Sequence, residues 1–381
     1  MTDHRKTAAA FVDKHLLGRE EFFDSAPALP LAVYRDLQAA GLATWWLGSD
    51  GEPAMSLEDG VDVVEELAYG DAGVAFSAFV TILVTTPVYL YGSDSQRAAI
   101  GAMCERGGVA ATLGSERAAG SELLRISTTA RRHGDRIHLD GQKLFSTNAG
   151  FADLMMVIAS APDEPQRYVA ALIPARARGV KIVQRWDLVG VRAAGTYEVE
   201  LAGCDVPADS VLQISGIKAL EIGLNPSRIL IAATGVGIGR RMLDLCLEYA
   251  GGKELKGGVL RDNHVFAAKI GQMEMELTAM HTACKAAARD FDALMRSPDP
   301  AAAFEQAGAL KSALVAKMLC GQLGWKIASV ASEMFGGLGF TRQMLVHKLV
   351  RDMRYISILE GGDDVLRDLL YARYVRPRGR G

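Results

Sequence analysis

The texture of this chain changes twice and never alternates, which is what most limits the folds open to it. Residues 1 to about 110 carry apolar positions at three- and four-residue spacing, as in LAVYRDLQAAGLA and LEDGVDVVEELAYG, and this predicts helices. From 111 to 215 the pieces are short, rich in Val, Ile, Leu and Tyr, and broken by turn residues: RIHLDGQKLFSTN, DLMMVIAS, RYVAALIP, VKIVQRWDLV and TYEVELAGCDVP. Helical spacing then returns in longer stretches, Arg228 to Ala250, Asp262 to Met295 and Ala301 to Phe335, punctuated by Gly251-Gly252, Ser297-Pro298 and Gly336-Gly337. Separate blocks of helix and strand exclude a doubly wound sheet. They predict an α+β chain in three parts: α-helical 1–110, a middle β domain 111–215, and α-helical 216–381.

Composition narrows the function classes. With 381 residues, 49% of them hydrophobic, the chain can bury a large core and more than one domain. A net charge of −3 with no basic block argues against nucleic acid as a partner. The start, MTDHRKTAAAFVDKHL, lacks the apolar centre of a signal peptide, and the apolar run Val80 to Tyr91 is short for a bilayer and contains Pro87. Cys104, Cys204, Cys246, Cys284 and Cys320 show no CxxC spacing, so reduced, buried thiols and a cytoplasmic location are expected. The seven His residues are dispersed, and no metal site is expected.

Chemistry concentrates near the end, between Glu333 and Val375. Gly336, Gly337 and Gly339 allow close backbone approach, a charged run follows (His347, Lys348, Arg351, Asp352, Arg354), and Glu360 then stands between Ile358-Leu359 and Gly361-Gly362. A carboxylate with apolar residues before it and pliable backbone after it can be a base whose pKa is raised by desolvation. The alternative is a surface Glu in the turn before a helix starting near Asp363. Further upstream, TLGSERAAGSE joins the hydroxyls of Ser115 and Ser121 to a Gly-containing turn, which suits a planar, hydrogen-bonding cofactor or a phosphate, or is a plain loop. Phe145, in GQKLFSTN, is either a core aromatic or a cover for a ring ligand.

In order and spacing these pieces resemble the flavin-dependent acyl-CoA dehydrogenases. That family carries a T-E-P-x-A-G-S-D-like loop, then G-x-K-x-W-I-T-N; here Ser115-Glu116-Arg117-Ala118-Ala119-Gly120-Ser121-Glu122 and Gly141-Gln142-Lys143-Leu144-Phe145-Ser146-Thr147-Asn148 stand in those places. Its ending, Q-x-x-G-G-x-G-Y, R-D and I-Y-E-G-T, is similar to Glu333–Phe340, Arg351-Asp352 and Ile358–Gly362, and Gly92–Arg97 resembles its G-T-E-E-Q-K turn. The resemblance covers nearly the whole chain. It implies an N-terminal helical domain, a middle β-barrel-like domain and a C-terminal four-helix bundle, with FAD between β domain and bundle and partly against a neighbouring subunit.

Carried over by position, Leu113, Ser115 and Ser121 would line the flavin or acyl side of the first loop. Phe145 would lie beside the isoalloxazine and Thr147 near its N5 edge. Lys253, Gly336, Gly337 and Gly362 take FAD-contacting positions, while Ser121, Arg228 and Gly361 take substrate-side ones, although Arg228 also reads as a helix-start cation. Glu360 would abstract the α-proton of an acyl-CoA or acyl-carrier-protein thioester as a β-hydride passes to flavin N5. An electron-transferring flavoprotein would accept the electrons, and a homodimer or homotetramer is implied. The family's R-x-x-F-G appears here as Lys253-Glu254-Leu255-Lys256-Gly257, where Lys keeps the charge but loses the bidentate fork. The F-Q position holds Asn263-His264, Glu333 replaces a Gln, Gly362 replaces a Thr, and Leu47–Glu52 replaces a P-x-x-x-G-G loop. These departures suggest a member specialised for secondary metabolism. The alternative is a non-catalytic acyl-binding or partner subunit with weakened FAD binding.

Overall fold

Ser93 and Gln96 show how locally the helices are set: the Ser93 hydroxyl accepts from Gln96 N while the Gln96 amide oxygen accepts from Ser93 N, a reciprocal cap at a helix start. A computed structural model describes residues 3–25, 31–42, 52–120, 122–163, 167–255 and 257–376. The first part comprises α1 (His4–His15), α2 (Glu20–Ser25), α3 (Leu31–Ala39), α4 (Leu57–Gly70), α5 (Ala72–Phe79), α6 (Ile82–Tyr91) and α7 (Asp94–Glu105). The apolar stretch Ala72–Tyr91 is long enough to cross a membrane by length and composition, but it is the two helices α5 and α6, buried in the core.

The middle part is a sheet of β1 (Ala110–Leu113), β2 (Thr129–His133), β3 (Arg136–Thr147), β4 (Leu154–Ala161), β5 (Arg167–Pro174), β6 (Val180–Arg185) and β7 (Thr196–Pro207). β1 and β2 pair in parallel with successive halves of β4, β5 covers the other edge of β4, and β3, β7 and β6 continue the sheet. Register shifts between β3 and β7 at Leu139/Gly141 and Lys143/Ser146 bend the strands. The second shift falls where Phe145 stands. Inward residues such as Leu113, Leu139, Val157 and Val199 form a separate core.

The last part begins with α8 (Gly216–Gly252), which passes through the centre of the molecule against α4, α6 and the later helix Lys311–Met334. The short strands β8 (Glu254–Leu255) and β9 (Gly258–Val259) lead to α9 (His264–Met295), α10 (Pro300–Ala307), α11 (Lys311–Met334), α12 (Val346–Arg354) and α13 (Asp363–Leu370). Long-range bonds lock the parts together. The Asp292 carboxylate of α9 accepts from Leu57 N (2.8 Å) and Glu58 N (3.0 Å), capping α4 across the domain boundary. The Arg351-Asp352 pair is a strut of the same kind. Asp352 accepts from Lys348 (2.5 Å) and Val191 N (2.7 Å), Lys348 also meets Asp71 (2.8 Å), and Arg351 forks onto Asp24 (3.0 and 2.6 Å).

Candidate active site

Glu360 stands in a left-handed turn, φ 54°, followed by Gly361 at 97°. For a residue with a side chain that conformation is strained by about 1–2 kcal/mol, so the surroundings must hold it. Arg228 of α8 donates from Nε (3.1 Å) and Nη2 (3.0 Å) to the Glu360 carbonyl, and Lys317 of α11 donates from Nζ to the Gly361 carbonyl (2.7 Å). Ser227 donates its hydroxyl to Glu360 Oε1 at 2.5 Å. The second carboxylate oxygen, Oε2, is shielded from solvent and unpartnered among the described residues, as is Arg228 Nη1.

Burial pushes the Glu360 carboxyl up to about 7, against the opposing pull of the Ser227 hydroxyl and the Arg228 and Lys317 charges. Burial also draws Lys317 down to about 8 and lowers Arg228. A carboxyl with one oxygen fixed, the other free, and titration near neutrality is equipped to take a proton from a bound molecule. The surface-turn reading of Glu360 therefore fails, and so does the helix-start reading of Arg228. Arg228 lies well inside α8, two residues after Pro226, where the helix continues despite the missing backbone donor.

A second group sits at the β3–β7 ladder. Phe145 is not core: it is 54% exposed, with φ 54°, and its ring lies 5.1 Å from that of Trp186. Thr147 Oγ1 is 3.2 Å from Thr196 Oγ1, and Trp186 N donates to the Thr196 carbonyl at 2.8 Å. Trp186 Nε1 and Ser146 Oγ are buried without a partner among the described residues. An exposed Phe145 ring against part-buried Trp186, beside orphaned polar groups, fits a flat, hydrogen-bonding ring system such as the flavin implied by the resemblance. The exposed Ser115 lies alongside, its carbonyl accepting from Leu144 N at 2.9 Å. Leu113, by contrast, has its side chain wholly inside the β core, so it offers a ligand only backbone.

Beneath that loop is an ion pair the sequence reading missed. Glu116 and Lys143, both buried, meet at 2.7 Å; Glu116 also accepts from Ser127 N (2.6 Å), Ser127 Oγ (2.6 Å) and Thr128 N (3.0 Å). Despite burial, Lys143 and these donors hold the Glu116 carboxyl down to about 2. Ser121, Lys256 and the segment 47–51 lie outside the described residues.

Three of the remaining expected contacts, Lys253, Gly336 and Gly337, lie at the far end of the bundle. Gly336 (φ 58°) and Gly337 are exposed, with open space where side chains would stand, and Lys253 is exposed at the end of α8. Tyr249 and Phe335, with ring centroids 4.7 Å apart, bring these two segments together. Arg228 and Gly252 are separated by roughly 36 Å along α8, so one subunit does not bring Gly336, Gly337 and Lys253 to Glu360. Glu333 is paired with Lys269 at 3.1 Å, so its carboxylate, which would be unfavourable beside a dinucleotide if unpaired, does not stand bare there. Gly362 caps α13 with extended backbone, φ −63°. Ser227, Lys317 and Trp186 belong to the site although sequence reasoning did not single them out.

Family models of the acyl-CoA dehydrogenase N-terminal, middle and C-terminal domains match residues 2–105, 111–204 and 215–375. A probable acyl-CoA dehydrogenase of Bacillus subtilis strain 168, YngJ, is 26% identical, covering 97% of this chain and 96% of its own. The structure of butyryl-CoA dehydrogenase from Megasphaera elsdenii is similar with a TM-score of 0.88 over 98% of both chains at 24% identity. That of the prolyl acyl carrier protein oxidase AnaB is similar with a TM-score of 0.86 over 97% of both at 20% identity. With three segments of one family matched in order along nearly its whole length, the chain belongs to the acyl-CoA dehydrogenase family, whose cofactor is FAD.

Proposed function

We propose that the protein is an FAD-dependent dehydrogenase of acyl thioesters, carried on CoA or an acyl carrier protein, with Glu360 as the base. The observation that carries this reading is the free, shielded Oε2 of a carboxyl poised near 7. Ionised Glu360 takes the α-proton of the bound thioester. Ser227 steadies the opposite oxygen, and Arg228 and Lys317 keep the turn from swinging away. Phe145, Trp186, Thr147 and Ser115 would hold the flavin. When bound, FAD supplies the acceptor for the hydride leaving the β-carbon.

The likeness to a prolyl acyl carrier protein oxidase supports a carrier-bound substrate in a specialised, biosynthetic pathway. An electron-transferring flavoprotein is the proposed acceptor. Five buried free cysteines support a reducing, cytoplasmic setting. A homo-oligomer is proposed because the Gly336-Gly337 and Lys253 group, far from Glu360 in its own subunit, could meet a flavin only from a neighbour. Apolar Val265, Met275, Trp325 and Phe340, exposed on and beside α9 and α11, are available for that contact. Anaerobic titration of the flavin-loaded protein with acyl-CoA and acyl-carrier thioesters tests the reading. Bleaching of the flavin by at least one class is expected; a protein that carries no flavin, or whose flavin none of them reduces, contradicts it.

A further inference from the structure

Two consecutive carbonyls in the Glu360 turn are each held by a cation from a different helix. Arg228 takes the first from α8; Lys317 takes the second from α11. Lys317 has no exposed surface, and its one hydrogen bond among the described residues is to the Gly361 carbonyl. A buried ammonium is kept in a fold only where something meets its charge, and a carbonyl is a neutral acceptor. The anionic groups that face it are Glu360 and Asp363, with Arg228 opposing.

The packing aims it there. A side chain at Gly321, one turn further along α11, would strike Ser357 Oγ (2.5 Å), so the helix lies directly against the segment leading into Glu360. Gly361 in turn tolerates φ 97°, which presents its carbonyl to Lys317.

We propose that Lys317 is a positioning residue for Glu360, fixing the turn through the Gly361 carbonyl and supplying the buried positive charge that the carboxylate faces. This rests on the reading of Glu360 as the base. The other groups bearing on that carboxylate are Ser227 and Arg228 of α8 and the Tyr355 phenol just before the turn; Asp363 of α13 acts on Lys317, and Glu221 and Arg373 act on Arg228. Removing the Lys317 charge while leaving these in place makes the carboxylate harder to ionise, so more alkali is needed before it can accept a proton.

The test is the pH dependence of anaerobic flavin reduction in flavin-loaded Lys317→Gln, Lys317→Met, Lys317→Arg and Glu360→Gln, with a thioester that reduces the wild type. Lys317→Gln keeps a donor for Gly361 without the charge; Lys317→Met keeps neither. Both uncharged variants are expected to move the acid limb upward by about one pH unit. From a midpoint near 7, that slows reduction at pH 7 about fivefold, with KM little changed and the limb near the wild-type position in Lys317→Arg. If Lys317→Met does not retain flavin, Lys317→Gln carries the readout. An acid limb unmoved in Lys317→Gln, with Glu360→Gln inactive, overturns the inference. Reduction that survives in Glu360→Gln overturns the underlying assignment of the base instead.

Discussion

Replacing Glu360 by Gln should stabilise the protein, and only at higher pH. Burial raises the carboxyl from 4.5 to about 7. At about 1.36 kcal/mol per pH unit, that displacement corresponds to about 3 kcal/mol. Because the folded-state pKa lies above the unfolded one, the folded protein binds the extra proton between these values. The stabilisation from the protonated form is therefore complete below about pH 4.5 and is lost as pH rises through about 7. Glutamine has no charge to desolvate and can still accept from Ser227. Since the residue as a whole is part exposed, screening trims the expected gain at pH 8 to roughly 2–3 kcal/mol, falling below about 1 kcal/mol at pH 5. Urea unfolding of wild type and Glu360→Gln at matched flavin content, at both pH values, measures it. A stability gap of equal size at the two pH values would owe nothing to ionisation and would mean that the buried charge of Glu360 is not what destabilises the fold. The trade is the usual one between a strained active site and a stable fold.

Three other outcomes follow from the same contacts. In Ser227→Ala the lost hydrogen bond should raise the Glu360 carboxyl by about one further unit, shifting the acid limb of flavin reduction upward; an unshifted limb would count against the bond. Lys143→Met should cost about 3 kcal/mol by stranding Glu116, and the double variant with Glu116→Gln should recover much of that. Additive losses in a denaturation cycle would show that the pair is not coupled. Phe145→Ala should weaken FAD binding roughly tenfold in a fluorescence titration with unchanged circular dichroism, because the ring is exposed and supports no core; an unchanged affinity would separate Phe145 from the flavin.

Much of the architecture was legible because periodicity is a local property. The strand-like and helical textures at 111–215 and beyond correspond to β1–β7 and α8–α13. Pro226 is where local reading misled: Asn225-Pro226-Ser227-Arg228 suggests a helix start, yet tertiary packing carries α8 through it from Gly216. Glu360 was legible because its neighbours in sequence, apolar before and glycine after, also make its turn. Its partners were not. Ser227 lies 133 residues away and Lys317 meets the turn from 44 residues away, and nothing local marks either as a polar group aimed at the Glu360 turn. Trp186 and the Glu116–Lys143 pair were hidden likewise, since only the folded sheet brings them together. Glu333 shows the converse. Read alone it is an unfavourable carboxylate; in the structure Lys269 neutralises it.

Whether Glu360 takes a proton from a bound thioester is read out by anaerobic flavin reduction in wild type and Glu360→Gln across pH. The wild type should bleach with an acid limb near 7, where the carboxyl titrates, and Glu360→Gln should hold its flavin yet leave it oxidised. Bleaching at comparable rates in both, or a wild-type limb near the ordinary carboxylate value, would mean that Glu360 is not the group that takes the proton.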